Sequence, residues 1–336
     1  MRILLAGLAL LAACLAPFHF YPVLLIRILC FALFASAYNL LFGFAGILSF
    51  GHAAFFGAGA YGAAILMKLL GAPAPLAVVA GGTVGGLLGA AIGSLAIRRH
   101  GVYLAMITLA LAEIVYFVAL QAPFTGGEDG LQGVPSGTLL GLVDLENPLA
   151  MYYFVLAIYL AGVAIIQRAV RSPFGHVLRA IRDGEARATS LGYRVAHYKL
   201  LAFVLSGVLS GVAGAAKTLA FHFAALGDVD WHTSGDVILM TLLGGAGTFI
   251  GPTVGAALVV TLSDWLADLG EGVTFIQGAV FVACVILFRR GIVGELLPLL
   301  SVRRGRTAGT APPGGFPFAR HLWNHPSKLD RKETPP

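Results

Sequence analysis

Long apolar runs separated by short polar or basic stretches organise this chain. Residues 3–16, 23–42, 52–69, 75–97, 101–121, 149–167 and 199–220 hold few or no charges, and about 20 apolar residues are enough for a helix to cross the hydrocarbon layer. A longer run, 236–263, is broken by Gly244-Gly-Ala-Gly-Thr-Phe-Ile-Gly-Pro252. That break predicts a turn between a short helix and a second membrane segment, and a span at 273–288 follows. The pattern predicts an all-α integral membrane protein, a polytopic bundle of about ten membrane segments that include short or broken helices. It would occupy residues 1–302. Residues 303–336, rich in Arg, Pro and Gly without apolar period, read as a disordered cytoplasmic tail.

One polar stretch stands out, from 168 to 199. It carries Arg168, Arg171, Arg179, Arg182, Arg187, Arg194 and Lys199 against only Asp183 and Glu185, whereas 101–167 contain no Lys or Arg. Basic loops between spans stay on the cytoplasmic side. The loop at 122–148, with Glu128, Asp129, Asp144 and Glu146, and that at 221–235, with Asp228 and Asp230, then face out. Arg98, Arg99, Arg289 and Arg290 fall inside, as do both termini. Within the basic stretch, Ser172-Pro173 reads as a helix start, and Phe174, Val177, Leu178 and Ile181 follow at helical spacing. Gly184 breaks that helix, and a second short one from Glu185 closes at Gly192. Two readings stand, a docking element under the membrane and a solvated loop that only obeys the charge rule.

Composition settles the class. A chain of 336 residues that is 58% hydrophobic and 11% charged, with mean hydropathy +0.87, cannot hide its apolar surface in a water-soluble core. The net charge of +6 reports orientation and anionic lipid rather than nucleic acid. Cys14, Cys30 and Cys284 sit inside apolar runs as small hydrophobes, with neither a disulfide framework nor a metal site. At the N-terminus, Arg2 and Leu11-Ala-Ala-Cys14 allow a processed signal, but a retained first helix is the favoured reading.

Glycine patterns predict how the helices meet. Gly81, Gly85, Gly89 and Gly93 recur every four residues, and Ser206, Gly207, Ser210, Gly211 and Gly214 repeat the device. Such ridges let backbones touch. Two Gly-rich breaks also echo each other, Gly43-Phe-Ala-Gly-Ile-Leu-Ser-Phe-Gly51 and Gly244-Gly-Ala-Gly-Thr-Phe-Ile-Gly251. Interrupted segments in two halves point to a transport path, although glycine is common enough in membrane helices for the echo to arise by chance. Gly57-Ala-Gly-Ala-Tyr-Gly62 satisfies a dinucleotide pattern but lacks its strand-and-helix context. No Gly-Lys pair exists, so the chain has no P-loop.

Six blocks in order carry a family resemblance: Asn39 to Tyr61, Gly101 to Ile114, Thr125 to Pro135, Ser172 to Asp183, Tyr198 to Ser206 and Leu242 to Pro252. Together they resemble the LivM-type permease of branched-chain amino-acid ABC importers over residues 20–298. The resemblance implies a permease without covalent chemistry or cofactor of its own, in the bacterial inner membrane. It would pair with a paralogous permease subunit, two cytoplasmic ATP-binding subunits that hold ATP and Mg, and a periplasmic substrate-binding protein. It implies that the ATPase docks on Phe174, Gly175, Leu178, Arg179, Ile181, Arg182, Glu185 and Gly192. ABC permeases commonly carry a Glu-Ala-Ala motif there with glycine six residues on, whereas Gly192 lies seven after Glu185. The family also handles urea and short amides.

Transport would proceed by alternating access. The candidate pathway residues are Asn39, Gly43, Gly46, Ser49, His52, Glu113, Gly244, Gly245 and Gly247. Backbone groups freed at the breaks are expected to hold the charged ends of a zwitterion. The oily residues of 172–192 are expected to fill a groove in the ATPase, with Arg179 and Arg182 at its rim. A stand-alone secondary transporter or channel is the rival reading, and it would want paired charges at mid-membrane. The chain offers Glu113, with Lys68 and Lys217 near outer ends where they can snorkel. A membrane enzyme lacks its catalytic constellation.

Overall fold

The computed structural model describes residues 13–18, 21–139, 143–266, 278–279, 282 and 291–295. Most of run 3–16, nearly all of span 273–288, and the tail at 303–336 lie outside the described residues, as do Cys284, Arg289 and Arg290. Among the described residues, six helices are long and apolar enough to cross a membrane. They are α1 (Pro22–Asn39, continued by a π-helical turn Leu40–Phe44), α2 (His52–Leu70), α3 (Ala74–Ala96), α4 (Val102–Gln121), α5 (Pro148–Arg171) and, later in the chain, α8 (Val195–Phe221). Between the last two lies a hairpin of α6 (Pro173–Asp183) and α7 (Glu185–Ser190). After α8 come two shorter helices, α9 (Trp231–Gly244) and α10 (Gly251–Leu266), joined by the glycine-rich turn that the sequence predicts. The expected total of about ten segments is not tested by the described residues, since the first and last expected spans lie almost wholly outside them.

Turn chemistry sets the ends. Asn147 accepts a bond from the Leu149 amide at 3.0 Å and Pro148 opens α5. Asp230 caps α9 in the same way, at 2.7 Å from the His232 amide. Ser172 begins α6 with Pro173 in the first turn, but its hydroxyl turns back to the Ala169 carbonyl at 2.7 Å rather than capping. Gly192, at φ +86°, lets the chain leave α7 in the left-handed region that other residues avoid.

The centre is built on glycine. α3 and α8 make the most extensive helix contact, and α2 packs against both. A Cβ at Gly85 would collide with the Gly207 carbonyl and lie 2.9 Å from the Gly211 Cα; one at Gly89 would stand 2.9 Å from the Phe203 carbonyl oxygen. Gly59 meets Gly211 in the same way, so the dinucleotide-like Gly57–Gly62 set is packing. Backbones this close gain dispersion contacts that lipid cannot supply. α1 packs on α5, α8 and α10. α4 is the least buried of the six long helices.

The ends of α2 and α8 away from the hairpin are closed by two loops. Leu131 and Gln132 (β1) pair antiparallel with Phe223 and Ala224 (β4), and Thr138–Leu139 (β2) pairs with Val143–Asp144 (β3). Beneath β4, the Lys217 Nζ donates to both oxygens of Asp228, at 2.9 and 2.7 Å, with the Phe223 ring centroid 4.3 Å away. Lys217 therefore does not snorkel: its ammonium is buried because α8 meets a loop carboxylate before it reaches the surface. Lys68, by contrast, is exposed and donates to the Gln132 carbonyl at 3.2 Å.

Candidate functional site

The two Gly-rich breaks meet in space. Asn39, in the last turn of α1, donates from Nδ2 to the Thr248 carbonyl at 2.8 Å and accepts at Oδ1 from the Gly247 amide at 2.8 Å. Gly43 lies so close to Gly247 that a Cβ would strike the Gly247 backbone. Gly244 and Gly245 are buried beside them, and Gly247, at φ +80°, turns the chain into this contact. One polar side chain thus fastens two segments 208 positions apart in sequence.

The α6–α7 hairpin reaches the same point. Arg182, near the end of α6, donates from Nη1 to the Gly43 carbonyl at 2.6 Å. Its aliphatic stem lies over Gly46, where φ is +72° and an added Cβ would meet the Arg182 Cγ at 2.5 Å. Arg179 stacks over the Phe44 ring at 5.6 Å. Leu178 is fully buried in one apolar cluster with Leu41, Ala45 and Ile47. A charge-assisted bond to a carbonyl is stronger than a neutral one, and this carbonyl belongs to the π-helical turn whose local ladder is already irregular.

The hairpin is anchored at its other end as well. Glu185 accepts from Lys199 at 2.7 Å, and the His100 Nδ1 lies 3.1 Å from the same oxygen. Lys199 is almost wholly buried. Phe174 stacks on Tyr198 with centroids 6.0 Å apart. Gly175 allows the tight turn out of α5, since a Cβ there would strike the Val170 carbonyl.

Residues 23–287 match the family model described as branched-chain amino acid transport system / permease component. The chain belongs to that permease family. Similar proteins include the high-affinity branched-chain amino acid transport system permease protein LivM of Salmonella typhimurium and that of Escherichia coli. Each is 26% identical over 294 residues, 81% of this chain and 69% of the relative. The ribose import permease protein RbsC of Bacillus subtilis is 28% identical over 196 residues, 54% of this chain and 58% of the relative. No solved structure matches the chain. Permeases of this family are membrane subunits of ABC transporters and not themselves enzymes.

In this permease the sequence-predicted residues fall into three groups. Asn39, Gly43, Gly46, Gly244, Gly245 and Gly247 converge on the node just described. Ser49 and His52 are fully buried one step further along: the Ser49 hydroxyl accepts from the Gly51 amide at 3.3 Å, and the His52 Nε2 pairs with Ser206 at 2.8 Å while Ser206 donates to the Ala37 carbonyl. Glu113 belongs to neither group. It is exposed on α4.

Two expectations need correction. Several backbone groups at the breaks are not open to a zwitterion in this structure: the Gly43 carbonyl takes Arg182, Gly247 and Thr248 take Asn39, the Phe50 amide takes the Thr108 hydroxyl at 3.1 Å, and just past the first break the Ala53 amide takes the Ser234 hydroxyl at 2.9 Å. Unpaired polar backbone is costly in a membrane interior, and short side chains were at hand to satisfy it. Nor do the oily residues of α6 face outward. Val177, Leu178 and Ile181 are buried against the permease's own body: Leu178 packs under the broken segment on Leu41, Ala45 and Ile47, a burial worth about 1.5–3 kcal/mol for a leucine, while Val177 and Ile181 pack on Ala188, Val195 and Tyr198. Arg182 bonds the Gly43 carbonyl while its side chain stays 39% exposed and also meets Asp183 at 3.5 Å. The exposed apolar side chains lie beyond α7, at Leu191 (70% exposed) and Tyr193 (41%). Neither continues the helical stripe, so the apolar pattern of the sequence does not mark them.

Proposed function

We propose that this permease carries branched-chain amino acids from periplasm to cytoplasm as part of an ABC importer. The α6–α7 hairpin is the element through which partner ATPases drive it. The observation that carries the reading is the bond from Arg182 to the Gly43 carbonyl. Through it, a displacement of the cytoplasmic hairpin is delivered to the place where both broken segments are fastened by Asn39. Interfaces of this kind pass between discrete arrangements rather than deforming smoothly. ATPase docking falls to the exposed side of the hairpin, at His176, Asp183, Arg187, Leu191 and Tyr193, rather than to Leu178 and Ile181. The LivM relatives favour branched-chain amino acids as cargo, and the ribose permease marks the alternative.

Reconstitution into proteoliposomes with a paralogous permease subunit, the ATPases and a binding protein tests this reading. Loaded binding protein is expected to stimulate ATP hydrolysis and to deliver leucine, with ribose, urea and acetamide excluded. Accumulation of ribose without leucine overturns the cargo assignment, and uptake without the ATPases overturns the importer reading.

Orientation follows from the Lys and Arg asymmetry. In a background without native cysteines, Thr138→Cys is expected to react with an impermeant maleimide added to intact spheroplasts, and Arg194→Cys only after lysis. Both positions are exposed. Reaction of Arg194→Cys in intact spheroplasts contradicts the topology.

A further inference from the structure

We propose that Glu113 forms part of the wall of the solute path and receives the ammonium end of the cargo, an inference that rests on the amino-acid importer reading. Glu113 lies near the middle of the 20-residue α4 and is exposed. Among the described residues no cation or donor is bonded to it. Facing hydrocarbon at mid-membrane, an acidic side chain costs about 2.5–3.5 kcal/mol. α4 buries too little against the rest of the chain to repay that, so the surface around Glu113 is wet in the assembled transporter.

The neighbouring surface fits a path. Tyr103, Met106, Ala110, Glu113 and Phe117 are all exposed and recur at spacings of three and four, which sets them in one stripe along the helix. An open groove of about 520 Å³ runs beside that stripe from Ala110 through Met106 and Tyr103 to Arg99. Its flexible thioether and aromatic walls suit branched aliphatic side chains of differing shape. Glu113 stands one helical turn beyond Ala110, at the end of the groove away from Arg99. A solute entering along the stripe thus meets a carboxylate at mid-membrane and a guanidinium at the cytoplasmic mouth, in the order that a zwitterion's two ends can use.

Cysteine accessibility in the assembled transporter tests this. Glu113→Cys, in a background lacking the native cysteines, is expected to react with the charged thiol reagent MTSET, and millimolar L-leucine with loaded binding protein is expected to slow the reaction. Val118→Cys is the control. It is also exposed, but about 140° round the helix, and is expected to stay unreactive. Glu113→Gln should lower leucine uptake by about tenfold or more, the lower end of what a hydrogen bond to a charged group is worth, while leaving ATP hydrolysis coupled to docking of the binding protein. An unreactive Glu113→Cys, or reaction that leucine does not slow, overturns the proposal. If uptake and ATPase stimulation persist alongside that result, the importer reading stands and only the role of Glu113 fails.

Discussion

Gly85→Leu is expected to prevent the chain from assembling. The position faces the Gly207 carbonyl and the Gly211 backbone across the contact of α3 with α8, and neither can yield as a side chain would. Overpacking against flexible neighbours costs about 1–3 kcal/mol. Here two helix backbones must separate, and the dispersion contacts of the whole seam are lost with them. The seam also includes α2, whose Gly59 rests on Gly211. Fluorescence-detected size-exclusion chromatography of a tagged chain should show the monodisperse peak reduced to near background. Leu87→Phe supplies the comparison on the same helix, because Leu87 is 72% exposed, and it should elute as the parent does. A parental profile for Gly85→Leu contradicts the close contact.

Lys217→Ala should be nearly as damaging. Lys217 and Asp228 are buried together, with both carboxylate oxygens engaged by the ammonium and one also accepting from the Ala225 amide at 3.1 Å. Removing one partner of a buried pair costs about 3–5 kcal/mol because an uncompensated charge remains, whereas replacing both with apolar residues is often neutral. Lys217→Ala is therefore expected to lower the melting temperature of the detergent-solubilised protein strongly, and Lys217→Met with Asp228→Leu to recover most of the loss. A double variant no better than the single one shows that the pair, and not merely its balance of charge, fixes the loop at β4.

The spans were legible because lipid imposes a simple demand. Runs of about 20 apolar residues have few alternatives, and the predicted 52–69, 75–97 and 101–121 appear as His52–Leu70, Ala74–Ala96 and Val102–Gln121. The glycine ridge was equally readable, since period four on a helix marks one face. The two breaks were recognisable from composition, but not that they touch. That depends on Asn39, whose type says only that something nearby wants a donor and an acceptor. The bond that Arg182 makes was hidden for a related reason. Charge suggests solvent, and the side chain does stay partly exposed, yet its long stem lies over Gly46 and its guanidinium bonds the Gly43 carbonyl. Lys217 was misread because its partner, Asp228, lies in a loop whose course no periodicity reveals. Leu178 shows the limit of amphipathic patterns: they mark an oily face without saying whether a partner or the chain itself covers it.

Leucine transported per ATP hydrolysed measures most directly whether hairpin motion reaches the broken segments through Arg182. Arg182→Ala leaves Leu178 and Ile181 seated in their clusters, so the hairpin should still fold and dock. Its bond to the Gly43 carbonyl is gone. Coupling free energies between sites run at about 1–3 kcal/mol, or roughly 5–150-fold. In proteoliposomes, ATP hydrolysis stimulated by loaded binding protein should persist while leucine delivered per ATP falls within that range. Asn39→Ala should do the same, and because both act at one node the double variant should lose little more than either single one. An Arg182→Ala transporter that delivers leucine at the parental ratio contradicts the account.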